Sequence, residues 1–432
     1  MFIETFTMSE PSLRIVMLSD NQGRVLVILP YGELLNLVSV WKYTRRQLQP
    51  LSAHDSAAFF QQPALYHSRG IAQLLKLPVL ADSECSLDSQ FKVFEPSSDR
   101  TLTLTTALFK APLQQFKLSI TTDTIDAKQL AGDDATQISR SVEKFTSLRI
   151  KQRLEETLDL PTLPLTLQKI IALRSNPNSD IDDLVPIIQM DPSLSAQVMS
   201  WAASPYYAAP GGIDSIHDAI LRVLGYDLVV NLALGSAMGH LLKLPTDTPR
   251  GATPYWLQAI ICASLAEQLC QQMPAKQRPR PGLVYLTGLL HNFGYLILSH
   301  VFPPQFSLVS RYIEANPHLH HEYIEKQILN VTREQIGCWL SETWNLPAEV
   351  SKGIRHQNDP TYTQEHYRYA RLMDLTLRVM RTNGVGDGPV GDIPDSLYQQ
   401  LGLEPHRVQE TFAQVHAKTD NLEEMGPFLK AG

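Results

Sequence analysis

The hydrophobic and polar positions of this chain follow one pattern in its first part and another in the rest. In residues 12–120, short apolar runs rich in β-branched residues alternate with turn residues. The first two runs, Leu13–Ser19 and Arg24–Leu29, flank the turn sequence Asp20-Asn21-Gln22-Gly23. This arrangement predicts a β-hairpin, because Asp, Asn and Gly accept the backbone conformations of a tight turn. Residues 12–120 are therefore predicted to form a small α+β domain.

From about residue 140 onwards, apolar residues recur at helical spacing, and helix-capping residues stand between the apolar runs. Ser215 and Asp218 have the spacing of a capping box, and Asp191 stands directly before a proline, as an N-cap residue does. Short helices joined by polar turns predict an all-α bundle over residues 141–432. The polar stretch at residues 121–140 is predicted to link the two domains.

Length, charge and cysteine content narrow the classes of function. The chain has 432 residues, more than one core usually supports, which agrees with two domains. Its formal net charge of −7 argues against broad nucleic-acid binding, which needs a basic surface. The four cysteines have no CxxC spacing and fit a reducing compartment. No apolar run reaches the length of a membrane span, and the first residues lack the basic start of a secretion signal. A cytoplasmic protein with no membrane partner is expected.

Four segments of the helical region carry a family resemblance: LPTLPLTLQKI at 160–170, IIQMDPSLSAQVMSWAASPYY at 187–207, IDSIHDAILRVLGYDLVVNLAL at 213–234 and TGLLHNFGYLIL at 287–298. These segments closely resemble the HDOD domain family, whose members are non-catalytic relatives of the HD metal-phosphohydrolase superfamily. The resemblance implies an all-α bacterial module for signal transduction or regulation. Such a module acts by binding a signalling partner protein, with no cofactor and no catalytic residue of its own.

The centre of this resemblance is the pair His291-Asn292, where catalytic relatives carry a His-Asp pair that closes a metal site. Asn offers a neutral carbonyl dipole and lacks the negative charge by which Asp offsets a bound cation. The resemblance places further ligand positions near Gln258, Arg333 and His356. Two imidazoles without a carboxylate do not make a divalent-metal hydrolase site. His291, Asn292 and His356 are therefore expected to be the remains of a lost metal site.

The loss of a metal leaves a candidate binding pocket at the same positions. The residues expected to line it are Gln258, His291, Asn292, Arg333 and His356. Such a pocket is either filled by packing or accepts a small anion, with a nucleotide phosphate as one example. In the second case Arg333 and the neighbouring Arg355 supply the positive charge.

The first domain has a resemblance of its own, carried by the opening hairpin, by Gly70 in HSRGIAQLL and by LPVLADSE at 77–84. These features resemble, in truncated form, the YbaK-like aminoacyl-tRNA deacylase domain. The catalytic lysine of that family falls near Arg14. Arginine does not replace a lysine that must act through an adaptable ammonium group. The resemblance therefore implies a degenerate domain kept for binding or packing.

Two enzymatic alternatives stay open beside the binding module. One is a metal-dependent phosphohydrolase of the HD superfamily that needs His291, and the other is an aminoacyl-tRNA deacylase that works through the first domain. The segment His318-Leu319-His320-His321-Glu322 is a separate candidate. It is expected to be an exposed helix start, with metal binding as its alternative.

Overall fold

A computed structural model describes most of the chain, and its contacts divide into two compact units. The described residues are 12–67, 70–71, 74–109, 113–121, 134–145, 164–176, 178–203, 213–226, 229–230, 233 and 244–424. The first unit comprises Met1–Ala131, Asp247–Ala252 and Pro304–Leu329, and the second comprises Gly132–Thr246, Thr253–Pro303 and Asn330–Gly432. The main division therefore falls inside the predicted linker. Most of that linker, residues 122–133, lies outside the described residues, and its end is already helical.

Two segments predicted for the helical domain, Asp247–Ala252 and Pro304–Leu329, belong to the first unit instead. Arg250 shows the physical reason. Its guanidinium donates to both carboxylate oxygens of Glu314, at 2.9 and 2.7 Å, and also to the main-chain oxygen of Pro50. Local helical periodicity carries no information about such partners, which are distant in sequence.

The first unit is built on a seven-stranded sheet in the order β7-β6-β1-β2-β5-β8, with β4 also paired to β1. The strands are β1 (Leu13–Asp20), β2 (Gly23–Pro30), β3 (Leu34–Leu35), β4 (Gln49–Pro50), β5 (Val79–Asp82), β6 (Gln90–Glu95), β7 (Arg100–Thr105), β8 (Gln114–Phe116) and β9 (Ser119–Ile120). β1 and β2 are antiparallel in the register Leu13↔Pro30 to Asp20↔Gly23, which confirms the predicted hairpin. β1 pairs with β6 and β2 pairs with β5 in parallel, so the sheet is mixed.

The described helices occur mainly in the second unit. In chain order they are α1 (Leu37–Thr44), α2 (Ala53–Phe60), α3 (Asp134–Phe145), α4 (Leu165–Ser175), α5 (Ile181–Gln189), α6 (Pro192–Ala202), α7 (Ile216–Asp218), a π-helix (Ala219–Leu224), α8 (Tyr255–Gln272), α9 (Pro281–Leu290), α10 (Phe293–Val301), α11 (Pro303–Ala315), α12 (His321–Leu329), α13 (Arg333–Thr343), α14 (Ala348–Arg355), α15 (Tyr367–Thr382), α16 (Asp395–Leu401) and α17 (Pro405–Glu424). The prediction of a sheet-containing domain followed by a helical region is confirmed.

The helix starts agree with the capping residues of the sequence. The side chain of Asp191 accepts a hydrogen bond from the Leu194 amide at 3.1 Å, and that of Ser215 accepts one from the Asp218 amide at 3.0 Å. Each side chain satisfies a backbone donor that has no partner inside its own helix. These helix starts were therefore predictable from the local sequence alone.

Helices α9 and α10 form the apolar centre of the second unit. The stretch Pro281–Val301 is long and apolar enough to cross a membrane, with a mean hydropathy of 1.2, but 89% of its apolar window is buried inside the protein. That burial is typical of a core helix. Two glycines allow neighbouring backbones to approach closely. A Cβ on Gly288 would lie 2.6 Å from Cα of Ala263 on α8, and one on Gly294 would lie 1.9 Å from the main-chain oxygen of Arg333 on α13.

Candidate functional site

His291 and Asn292 form the short break between α9 and α10. His291 continues the helical conformation beyond Leu290, whereas Asn292, at φ −113° and ψ 15°, departs from it. Both side chains are buried. The main-chain oxygen of His291 accepts a hydrogen bond from the side chain of Gln357 at 3.0 Å, which ties the break to the segment after α14.

The hydrogen bond of the His291 ring determines its tautomer. Nδ1 lies 2.6 Å from the main-chain oxygen of Gly288, and because a carbonyl oxygen only accepts, Nδ1 carries the proton. Nε2 then presents a lone pair, and no described residue donates a hydrogen bond to it. Burial is the main reason that the pKa of His291 is lowered from 6.5 to about 4. The imidazole is therefore neutral at physiological pH.

The low pKa of His291 leads to a testable pH dependence. Its folded-state pKa of about 4 lies below the ordinary value of 6.5, so the unfolded chain takes up the proton more readily. The stability from neutral His291 is complete above pH 6.5 and is lost as the pH falls toward 4. The variant His291→Asn keeps a hydrogen-bond donor for Gly288 but has no imidazole to protonate. When the pH falls from about 7 to about 5, the free energy of unfolding should decrease by about 2 kcal/mol less in this variant than in wild type.

Urea denaturation of both proteins at the two pH values measures this difference. The pKa of His356 is also lowered to about 4, with burial as the main cause. His356 is present in both proteins, so its contribution cancels in the comparison. Equal losses in wild type and variant would contradict a buried neutral His291.

Arg333 is the charged group at the centre of the site. It is the first residue of α13, directly after the N-cap Thr332, whose side chain forms a capping box with Gln335. The Arg333 side chain is only 1% exposed. Its NH1 group donates to Oδ1 of Asn292 at 3.1 Å and to Oδ2 of Asp387 at 2.6 Å. Its guanidinium also lies over the ring of Tyr295, 4.7 Å from the centroid. The charge is thus neutralised by a carboxylate and stabilised by an aromatic face.

Asp387 belongs to a connection between α15 and α16 that we call the glycine loop, residues 383–392. Gly386 has φ 99°, a left-handed conformation that strains other residues. Its amide donates to the hydroxyl of Thr253 at 3.0 Å, and a Cβ on it would lie 3.1 Å from Nε2 of Gln258. The glycine loop therefore lies against Gln258 and places Asp387 on Arg333.

Arg355 and His356 have partners away from this ion pair. Arg355 makes two hydrogen bonds to the carboxylate of Asp134 on α3, at 2.7 and 3.1 Å. The ring of His356 stacks on Tyr362 with centroids 3.7 Å apart, and its Nδ1 lies 3.6 Å from a carboxylate oxygen of Asp359. The predicted site residues thus form two groups. Gln258, His291, Asn292 and Arg333 surround one centre, whereas Arg355 and His356 contact other partners.

The sequence did not single out several partners of these residues: Tyr295, Asp134, Asp359, Tyr362 and Asp387. A signal for Asp387 was present in the sequence, because an acidic side chain between glycines in a loop is not held by a helix and can reach a partner elsewhere. The sequence did not reveal its partner, which lies 54 positions earlier.

Comparisons with known proteins identify the family of the helical region. A family model described as the HDOD domain matches residues 160–360. A solved structure from Marinobacter aquaeolei VT8, provisionally named a signal transduction protein, is 39% identical to this chain. The match covers 97% of this chain and 93% of that chain, with a TM-score of 0.86. This chain belongs to the HDOD family. The resemblance of the helical region to the HDOD family is therefore confirmed.

Two further proteins are less similar to this chain. A structure from Shewanella amazonensis SB2B, provisionally named a phosphohydrolase, is 20% identical to this chain. The match covers 69% of this chain and 100% of the Shewanella chain, and its TM-score of 0.50 indicates a shared fold. A protein of Treponema pallidum (strain Nichols) is 25% identical over 263 residues, or 59% of this chain and 48% of that protein. The chain therefore spans about half the length of this curated relative.

The HDOD centre of this protein does not fit a divalent metal ion. Among the residues that the sequence placed at the metal position, the possible donors are Nε2 of His291 and Oδ1 of Asn292, and Oδ1 already accepts a hydrogen bond from Arg333. The carboxylate of Asp387 is likewise bound to Arg333. A guanidinium keeps its charge at any physiological pH and repels a cation. These side chains therefore favour the ion pair between Arg333 and Asp387 over a bound metal ion.

The other two candidates from the sequence have structural explanations in the first unit. Arg14 is fully buried in β1, and it donates to the main-chain oxygens of Ala315 and Glu33, at 3.0 and 3.1 Å, and to Oδ1 of Asn316 at 2.5 Å.

The histidine segment is not an exposed helix start, which corrects that expectation. α12 begins only at His321, which is buried, and the ring of His318 packs 4.9 Å from that of Tyr31. His318 is therefore outside the helix, whereas His321 and Glu325 are four residues apart on it. The local sequence pattern does not show packing against distant residues such as Tyr31, and this packing explains why the segment is less exposed than expected.

Proposed function

We propose that this protein is a regulatory binding module of signal transduction and that its HDOD domain catalyses no phosphohydrolase reaction. The observation that carries the proposal is the ion pair between Arg333 and Asp387, buried beside Asn292. Productive hydrolysis in a metal-dependent enzyme needs a cation held by carboxylates and imidazoles. A side chain with permanent positive charge stands at that centre instead, and the nearby carboxylate neutralises it.

The proposal extends to partners and location. An HDOD domain without its own chemistry acts through what it binds, and we propose a signalling protein as the partner, in the cytoplasm. The similarity to the Marinobacter aquaeolei protein, which spans nearly the whole chain, supports a role in signalling. The four cysteines are free and buried, as suits a reducing compartment.

For the first unit we propose a role in binding or packing and no aminoacyl-tRNA editing. The resemblance to YbaK-like deacylases places a catalytic lysine near Arg14. The Arg14 guanidinium is instead fully buried and bonded to two carbonyl oxygens and an amide oxygen. Burial lowers its pKa to about 9, so it stays charged at neutral pH and is unsuited to proton transfer.

The test of the proposed function is the metal content of purified protein without a histidine tag, measured by mass spectrometry after incubation with manganese, iron or zinc. We expect less than about one tenth of an equivalent of metal. The same preparation should release no phosphate or nucleotide from phosphodiester and phosphomonoester substrates. The His291→Ala/His356→Ala double variant is the control. Stoichiometric metal that disappears in this variant, together with turnover, would establish the phosphohydrolase alternative.

A further inference from the structure

We infer that Arg333 forms an anion-binding site, that the carboxylate of Asp387 occupies it as an intramolecular ligand, and that a small molecule bearing a phosphate or carboxylate group displaces Asp387. This inference rests on the proposed function, because it requires a binding site in place of a metal centre. It adds the ligand class and a moving element, the glycine loop.

The position of Arg333 does not depend on Asp387. The capping box of Thr332 and Gln335 fixes the start of α13, and the close contact of Gly294 with the Arg333 main chain fixes its distance from α10. Asn292 and the ring of Tyr295 orient the guanidinium. A guanidinium held in this way keeps its geometry when the carboxylate leaves, which is the property of a preorganised anion site.

Asp387 comes from a different kind of element. Its side chain is 22% exposed, against 1% for Arg333, so the carboxylate lies at the outer side of the pair. The glycine loop is anchored by the buried Val385 and by the bond from Gly386 to Thr253. A segment rich in glycine buries little side-chain surface, so its opening needs less free energy than the opening of a helix. The carboxylate is thus the replaceable member of the pair.

A second buried polar group stands on the helix that carries Gln258. Tyr255 and Gln258 are three residues apart on α8 and share one helix face, and Gln258 lies directly beneath Gly386. The Tyr255 hydroxyl is buried and has no hydrogen-bond partner among the described residues. Burial raises the pKa of this phenol, and the nearby charge of Arg333 acts against that rise. Because a buried hydroxyl donor is normally satisfied, an oxyanion bound to Arg333 offers it an acceptor.

The experiment compares phosphate binding by wild type, Asp387→Asn and Asp392→Asn in isothermal titration calorimetry at constant ionic strength. Asp392→Asn is the matched control, because it removes the same charge from the same loop at an exposed position. Without the competing carboxylate, Asp387→Asn should bind inorganic phosphate at least about tenfold more tightly than wild type, because the binding-competent population rises. Asp392→Asn should bind like wild type, and Arg333→Met/Asp387→Asn should lose the gain. Acetate in place of phosphate shows which oxyanion fits better.

Hydrogen exchange of the wild-type protein is the second measurement, and it decides the matter if Asp387→Asn does not fold. A saturating concentration of phosphate should accelerate exchange in the glycine loop, including the Gly386 amide, compared with chloride at equal ionic strength. No acceleration in wild type, or no tighter binding by a folded Asp387→Asn, would overturn the inference. If the metal assay is negative at the same time, the binding module stands and only the anion site falls. Bound metal with turnover would instead refute the proposed function.

Discussion

Replacing Arg333 with methionine should lower the free energy of unfolding by about 3 kcal/mol, at the lower end of the range for a broken buried ion pair. Methionine fills much of the volume but removes the bonds to Asn292 and Asp387 and the contact with Tyr295. Asp387 is partly exposed, so its carboxylate regains water and the loss stays near the lower limit. The expected loss is still a large share of the stability of an ordinary domain.

Urea denaturation followed by tryptophan fluorescence measures this effect. Four of the five tryptophans, Trp201, Trp256, Trp339 and Trp344, belong to the second unit, so the signal reports mainly on it. Arg407→Met is the matched control, because the side chain of Arg407 is 66% exposed. It should change the free energy of unfolding by no more than about 0.5 kcal/mol. A similarly small change for Arg333→Met would show that Arg333 makes no net contribution to stability.

The second large effect is expected from Gly294→Ala, which should destabilise the second unit by about 3 kcal/mol. The added Cβ would lie 1.9 Å from the main-chain oxygen of Arg333 and 2.7 Å from its carbonyl carbon. Both atoms belong to the backbone of α13, so no side-chain rotation relieves the overlap. The two helices must move apart, and the contacts between α10 and α13 are lost over their length.

Gly391→Ala is the control for this substitution. A Cβ at Gly391 meets no atom within 4 Å, so its effect should stay within about 0.5 kcal/mol. The same fluorescence measurement compares the two variants. If Gly294→Ala were as stable as Gly391→Ala, the helix crossing at Arg333 would be looser than the structure shows.

The local features of the fold were predictable from the sequence. The hairpin was predicted at Leu13–Ser19 and Arg24–Leu29. The first strand ends one residue later than predicted, and the second extends one residue beyond both predicted limits. The caps at Asp191 and Ser215 were predicted as well. Such features depend on residues a few positions apart, where turn chemistry and capping hydrogen bonds decide the conformation.

The candidate site was only partly predictable, because its decisive contacts are long-range. The family resemblance placed Gln258, His291, Asn292, Arg333 and His356 together. The first four lie around one centre, whereas His356 stacks on Tyr362. It did not show that Asp387 reaches Arg333 through the glycine loop, nor that Asp134 binds Arg355 across 221 positions of sequence. A charged side chain reveals that it needs a partner, but only the folded chain determines which partner it meets.

At the close crossing of α10 and α13, the main chain and the side chain of Arg333 have different roles. Gly294 contacts the main chain of Arg333, whereas the charge of the site comes from the Arg333 side chain. Any residue that starts α13 after the Thr332 cap offers the same carbonyl oxygen to Gly294. The side chain at the start of α13, and with it the charge of the site, can therefore change without rebuilding the helix interface.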